Sequence, residues 1–349
     1  MNRFKNFLLS AECGTENQKS ICQNKSRTKE ARTPRKLISR GSKIGAALAL
    51  IASLATPLWA DPFSFQTGTP NGLLGAASRR PSAGNVEIET ADDFGLQETT
   101  VIRSATIFGL IPAGTSQADI KDVEVEVYHI FAVDSNVDRT SGAPFFSTAV
   151  SPTRNNSPSD HEIETATRAL TDGTLAISTN VVNSSFTVGR TVVNGISLGA
   201  GSAGAFTGQE VEISITFTNP IILPAGHYFF RPEVLLTSGD FLFLSGLRPV
   251  VLPGNFNDLQ AWIRNTTVAP DWLRIGTDII GGAPAPTFNM AFSLTGETVP
   301  QAGTPGQPNC HGNTISGLAQ QFGDIDGAAS SLGFSSVADL QNGFAVFCQ

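Results

Sequence analysis

The sequence predicts a mainly β protein: a two-sheet antiparallel sandwich of jelly-roll type with a small C-terminal helical unit. Three observations carry that prediction. "DVEVEVYHIFAV" and "QEVEISITFTNP" alternate apolar and polar residues with period two, the pattern of strands with one buried face. Gly, Pro, Asn and Asp cluster between many short apolar runs, as turns between strands do. Helical spacing is nearly absent before residue 313 and prevails after it.

Residues 1–60 read as a leader and secretory signal. They hold eleven of the 23 Lys/Arg but only three of the 30 Asp/Glu. In "KIGAALALIASLATPLWA" a basic flank (Arg40, Lys43) precedes an apolar run, Pro57 breaks it, and small Ala60 ends it. That order is an export signal cleaved near Ala60, and the run is too short for a transmembrane span. No Met lies between Met1 and Met290, and a start near Leu37 would give a signal of ordinary length. Cys13 and Cys22 lie in this leader.

Residues 61–298 should form the sandwich. In the first alternating segment Val123, Val125, Val127, His129, Phe131 and Val133 share the inner face, with Glu124, Glu126 and Tyr128 facing solvent. In the second, Val211, Ile213, Ile215 and Phe217 point inward, with Glu212, Ser214, Thr216 and Thr218 outward. "NVEIETADDF", "TVIRSATIFGL", "TLAISTNVV", "HYFFRPEVLL", "DFLFLSGL", "DWLRIGTDI" and "FNMAFSLTG" supply further strands. Residues 135–160 form a long irregular insertion.

Residues 299–309, "VPQAGTPGQPN", have linker composition, and residues 310–349 read as a helical mini-domain. Ile315, Leu318, Ala319 and Phe322 recur at helical spacing, as do Val337, Leu340, Phe344 and Phe347, and Ser336 with Asp339 resembles a capping box. Forty residues bury too little apolar surface to stand alone. Cys310 and Cys348 bracket the unit and, in an oxidising compartment, should close it with a disulfide.

Beyond residue 60 twelve basic residues face 27 acidic ones, and Lys121 is the only lysine. Such a body repels phosphate backbones and anionic membranes, so nucleic acid is excluded as a partner and no stable membrane span is expected in the mature chain. Catalytic signatures are sparse: no GxSxG elbow and no phosphate-cradling glycine loop occur. Glutamates recur in i, i+2 pairs: Glu87/Glu89, Glu124/Glu126, Glu162/Glu164 and Glu210/Glu212. "EIETAD" has the spacing of a β-glucanase strand motif with Glu and Asp exchanged at its second and third positions. A jelly-roll glycosidase would use two such carboxylates as acid and nucleophile. Their repetition on several strands instead suggests solvated faces, and no catalytic residue is assigned.

Two ligand sites are candidates. In "DSNVD", Asp134, Asn136 and Asp138 place oxygens at alternate positions where a strand enters the insertion, as the start of a calcium loop does. Arg139 stands where an EF-hand has Gly, and an Asx-rich turn is the competing reading. Trp262 and Trp272 could stack on sugar rings or fill the ends of the core. Of the histidines, His129 reads as a core residue. His311 beside Cys310 fits the disulfide better than zinc.

"VEVYHIFAVDSNVDRTSGAP", "GQEVEISITFTNPIILPAGHYFFRPEVLLTSGDFLFLS", "LQAWIRN" and "DWLRIGTDIIGGAPAPTFNMAFSLTG" resemble a group of secreted bacterial β-sandwich proteins whose members often carry a C-terminal PEP-type sorting signal. Asn309 to Cys348 resembles a two-cysteine helical tail of various exported bacterial proteins. The resemblance implies an exported sandwich and no particular activity. After "GETVP" the chain lacks the sorted relatives' apolar span and terminal Arg cluster, so surface anchoring is not carried over from them. The expectation is a non-enzymatic protein, secreted or periplasmic, that is either surface-associated in a structural role or binds a glycan or an extracellular protein. The alternative is a jelly-roll carbohydrate-active enzyme or carbohydrate-binding module.

Overall fold

The computed structural model describes residues 61–82, 84–136 and 154–349. The leader, the signal and Asp138 lie outside the described residues.

Two antiparallel sheets pack face to face. The first contains β1 (Pro62–Gln66), β2 (Leu74–Ala77), β4 (Thr100–Ile111), β8 (Leu175–Val188), β9 (Arg190–Val192), β10 (Phe206–Leu223), β12 (Leu242–Leu244) and β15 (Phe292–Thr298). Its order is β1-β15-β4-β12-β2-β9, and β10 branches from β4 to carry β8 on its far side. The second contains β3 (Ile88–Leu96), β5 (Ile120–Ile130), β6 (Pro158–Glu162), β7 (Arg168–Ala169), β11 (Gly226–Leu236), β13 (Trp262–Asn265) and β14 (Leu273–Arg274), in the order β14-β13-β3-β11-β5-β6 with β7 also beside β5. Among the described residues only the short β2–β9 pair is parallel.

The core follows the alternation. Val211, Ile213, Ile215 and Phe217 on β10 and Val123, Val125 and Val127 on β5 are buried between the sheets. Phe292 stacks on Phe230 at 5.0 Å and meets Phe65 at 5.5 Å, knitting three strands together. Gly109 lies directly beneath Phe241, and a methyl group there would overlap the ring. At the edge of the first sheet β1 zips onto β15, and the Thr298 amide donates to the Asp61 carbonyl at 3.0 Å.

β5 departs from expectation at both ends of its pattern. The strand stops at Ile130, because Ala132 and Asp134 take left-handed backbone (φ 86° and 55°) and turn the chain away. Val133 is therefore half exposed rather than inward, and His129 is only half-buried. The face expected in solvent is largely covered: Glu126 is 8% and Tyr128 0% exposed.

The tail forms α1 (Cys310–Phe322), α2 (Ile325–Ser331) and α3 (Val337–Phe347). Ser336 caps α3 by accepting the Asp339 amide at 3.1 Å, the contact the Ser/Asp spacing predicts. Cys310 and Cys348 form a disulfide with Cα atoms 5.7 Å apart. The helices do not make a core alone. Leu318, Leu332, Leu340 and Phe344 pack with Val101 of β4 and with Val299. The segment with linker composition is correspondingly fixed: Val299 is buried, the Gly303 amide donates to Thr314 Oγ1 at 2.7 Å, and the Gly306 amide to the Cys348 carbonyl at 3.1 Å. Three short helices need this borrowed apolar surface.

Candidate functional site

The outer face of the second sheet concentrates the chain's ionisable chemistry. Strand alternation puts Glu87, Glu89, Ala91 and Asp93 of the β3 segment on that face, beside Phe229, Arg231 and Glu233 of β11 and Glu124, Glu126 and Tyr128 of β5. Register brings opposite charges together: Arg264 of β13 faces Glu89, and Arg231 faces Glu126.

Arg264 grips Glu89 through Nε and Nη2, each at 2.7 Å. The Tyr128 hydroxyl lies 3.2 Å from Glu89 and 2.5 Å from Glu126, bridging the two carboxylates, and accepts from Arg264 Nη2 at 3.0 Å. Arg231 is shared by four glutamates: Glu126, Glu233 at 2.7 Å, Glu124 at 3.4 Å and Glu89 at 3.8 Å. Arg80 closes the array against Glu124 and Asp122.

Carboxylates outnumber guanidiniums here, and burial shifts the pKa values of several members. Burial, outweighing the attraction of Arg231 and aided by the repulsion of Glu89, pushes the Glu233 carboxyl well above the glutamate range. Although Arg231 lies within ion-pair distance, that one cation is divided among several acids. Burial and then Glu89 also raise Glu87. Burial raises the Tyr128 phenol. The array is thus an ion-paired lattice with more carboxylates than cations.

The β-glucanase reading of "EIETAD" fails on geometry. β3 runs without a register shift, so Asp92, five residues beyond Glu87, faces the opposite side. Asp92 is fully buried and accepts the Met290 amide at 2.7 Å; burial and then Asp93 raise its pKa well above the aspartate range. Asp93 holds His227 Nε2 at 2.7 Å instead.

Trp262 and Trp272 are each 1% exposed, so they present no sugar-stacking platform. They pack with Ala91, Tyr128 and Phe229 as the aromatic half of the same face. The Trp272 indole donates to the Ser159 carbonyl at 3.1 Å, and the Arg264 guanidinium lies 4.4 Å from its ring. β6 and β13 bring these partners in from other parts of the chain, which periodicity does not report.

At the proposed calcium turn, Asp134 pairs with His129 at 2.5 Å, and the Asn136 amide donates to Asp160 at 2.8 Å. Asp160 does fold back onto the turn, but it also pairs with Arg154. Asp134 and Asp160 thus have different partners. Among the described residues no group of three or more His, Cys, Asp or Glu side chains could hold a metal.

The sequence reading missed the arginines. Arg231 and Arg264 each sit at an alternating position inside an aromatic strand, "HYFFRPEVLL" and "AWIRN", where a buried charge needs carboxylate partners. That placement was the available signal. A second feature is a cleft of about 510 Å³ between sandwich and tail, lined by Glu164, Arg168, Asn219, Phe334, Asp339 and Val346 among others. Arg168 there donates to the carbonyls of Thr165, Thr167, Asn219 and Pro220, and burial lowers its pKa to about 10.

Compared with protein-family models, curated proteins and solved structures, the chain matches none. Among the described residues no helix is long and apolar enough to cross a membrane.

Proposed function

We propose that the chain is an exported, non-enzymatic β-sandwich protein that works by binding or structural association outside the cytoplasm. One observation carries the non-enzymatic part. The carboxylates gathered on the second sheet lie buried against arginines, whereas glycoside hydrolysis needs an acid and a second carboxylate flanking room for a sugar. The disulfide supports the exported part, since such bonds persist in oxidising compartments. A glycan or an extracellular protein is the partner class that an acidic exported module suits.

A glycan array with paired hydrolysis readout tests this reading. The expected result is retention of a ligand or no signal, with no hydrolysis. The second reading, a carbohydrate-active enzyme, is favoured by one contact: Glu89 and Glu126 share the Tyr128 hydroxyl. Hydrolysis abolished by Glu89→Gln or Glu126→Gln in a folded protein would establish it instead. Export is tested by N-terminal sequencing of protein recovered outside the cytoplasm, with Asp61 as the expected first residue.

A further inference from the structure

The sandwich leaves one long strand edge without a partner among the described residues. Among the described residues, six strands end or branch off the two sheets. Five are short or guarded. β9 has three residues, and β7 and β14 two each. β1 has five and begins with Pro62; β6 has five and carries Pro158, Asp160 and Glu162. Shortness, proline and charge are the usual devices that keep sheet edges from pairing with another chain. β8 is 14 residues long, and its sequence LAISTNVVNSSFTV contains no charge, no proline and no glycine.

Only the second half of β8 is blunted. Leu175 to Val181 pair with Phe217 to Val211 without interruption, and register shifts begin beyond Val181. Seven regular residues offer an edge of about 23 Å. The inner row also runs out of cover along this stretch. Leu175 is 2% exposed, Ile177 and Thr179 are half-buried, and Val181 is 49% exposed, although its cross-strand neighbour Val211 is fully buried. Backbone groups and an apolar row therefore face the same open side.

We propose that this edge is a self-association surface, where two copies of the chain pair antiparallel along Leu175–Val181 about a two-fold axis. Charge selects a second copy. The molecule carries a net charge of −7, so most of its surface repels its own kind, but β8 contributes no charge to that repulsion. The nearest acids on this sheet, Glu210 and Glu212, sit one strand further in. Across a β10-β8-β8-β10 junction they would stand about 14 Å apart, beyond the screening length of about 8 Å at physiological salt. A two-fold pairing is closed and needs no second surface.

Light scattering and sedimentation of the full chain over a concentration series up to about 200 μM, well above a micromolar Kd, test the proposal. The expected result is a monomer–dimer equilibrium. Val181→Lys and, separately, Thr179→Pro, at a position whose amide faces the open edge, should each raise the dimer Kd at least tenfold while the melting temperature and circular dichroism stay those of a folded sandwich. A wild-type chain that remains monomeric throughout would overturn the proposal. So would a dimer whose Kd is unchanged in both folded variants, since another surface would then hold it. A monomer whose β8 edge instead takes up a foreign extended peptide would overturn it too, in favour of strand addition by another protein.

Discussion

The outer faces of the two sheets begin from the same sequence device and end in opposite environments. On the first sheet, Ser104, Thr106, Ser214, Thr216 and Thr295 form a hydroxyl-rich face that stays partly or fully in water, with Ser104 and Thr295 hydrogen-bonded at 2.6 Å. On the second, Glu89, Glu126, Glu233 and Tyr128 are sealed beside arginines and tryptophans. Alternation decides which side a residue faces. Whether that side stays wet depends on residues elsewhere in the chain, here Arg231, Arg264, Ser159 of β6 and Trp272 just before β14. A wet polar face can lose any one group cheaply, whereas in a sealed one each charge depends on its counterpart.

The strongest test of that contrast is Arg231→Leu. It takes their guanidinium from Glu126 and Glu233, leaving Glu124 to Arg80, and should destabilise the sandwich by about 3–5 kcal/mol in urea unfolding. Thr216→Ala on the first sheet should stay within about 0.5 kcal/mol. Equal effects would erase the distinction.

Reducing the Cys310–Cys348 bridge comes next. Closing a loop of sequence separation 38 is worth about 4 kcal/mol in the chain-entropy model. The loss should fall on the helices. Hydrogen exchange should rise in α1 and α3 and stay slow in β4 and β10, whose main core lies between the sheets.

Tyr128→Phe is a smaller probe. It removes the hydroxyl between Glu89 and Glu126 and leaves Glu126, its nearer acceptor, short of a donor, at a cost of about 1–3 kcal/mol by denaturant titration.

The mildest change reverses sign. Because the folded-state pKa of Glu233 is raised, its contribution is fully present below the ordinary glutamate pKa and is lost as pH rises through the folded value. Glu233→Gln should therefore match the parent in acid and become progressively more stable than it toward neutral and alkaline pH. Melting curves across that range check it. A variant less stable than the parent at every pH would mean that Glu233 is held as an anion.

Much of the fold was legible because local rules suffice for it. Period two located β5 and β10 and named Val123, Val125, Val127 and the inward row of β10 as buried, but it put His129 and Val133 inside and Glu126 and Tyr128 in solvent. The helical spacing of Leu318, Leu340 and Phe344 located the tail, and the positions of Cys310 and Cys348 located its bridge. The candidate site was not legible. The sequence shows Glu89, Tyr128, Arg231 and Arg264 as scattered residues, and only strand order makes them neighbours. Trp262 and Trp272 were read as either platform or core; their burial depends on Ser159 and Arg264, which are remote in sequence from one or both. The end of β5 was misplaced by three residues because left-handed Ala132 and Asp134 carry no glycine to announce the turn.

The clasp of β1 on β15 has a mechanical consequence. The Thr298 amide holds the Asp61 carbonyl, so the two ends of the sandwich leave side by side from one corner. Tension applied across Asp61 and Thr298 would peel the strands apart one hydrogen bond at a time, not shear them all together. That is the weak direction for a strand pair. The helices change the geometry, because Val299 is buried among them and Arg103 of β4 donates to the Ser331 carbonyl at 2.5 Å. A pull from beyond Cys348 must first dislodge the crosslinked helices. The tail thus acts as a strain relief, sparing the most easily unzipped seam in the sandwich.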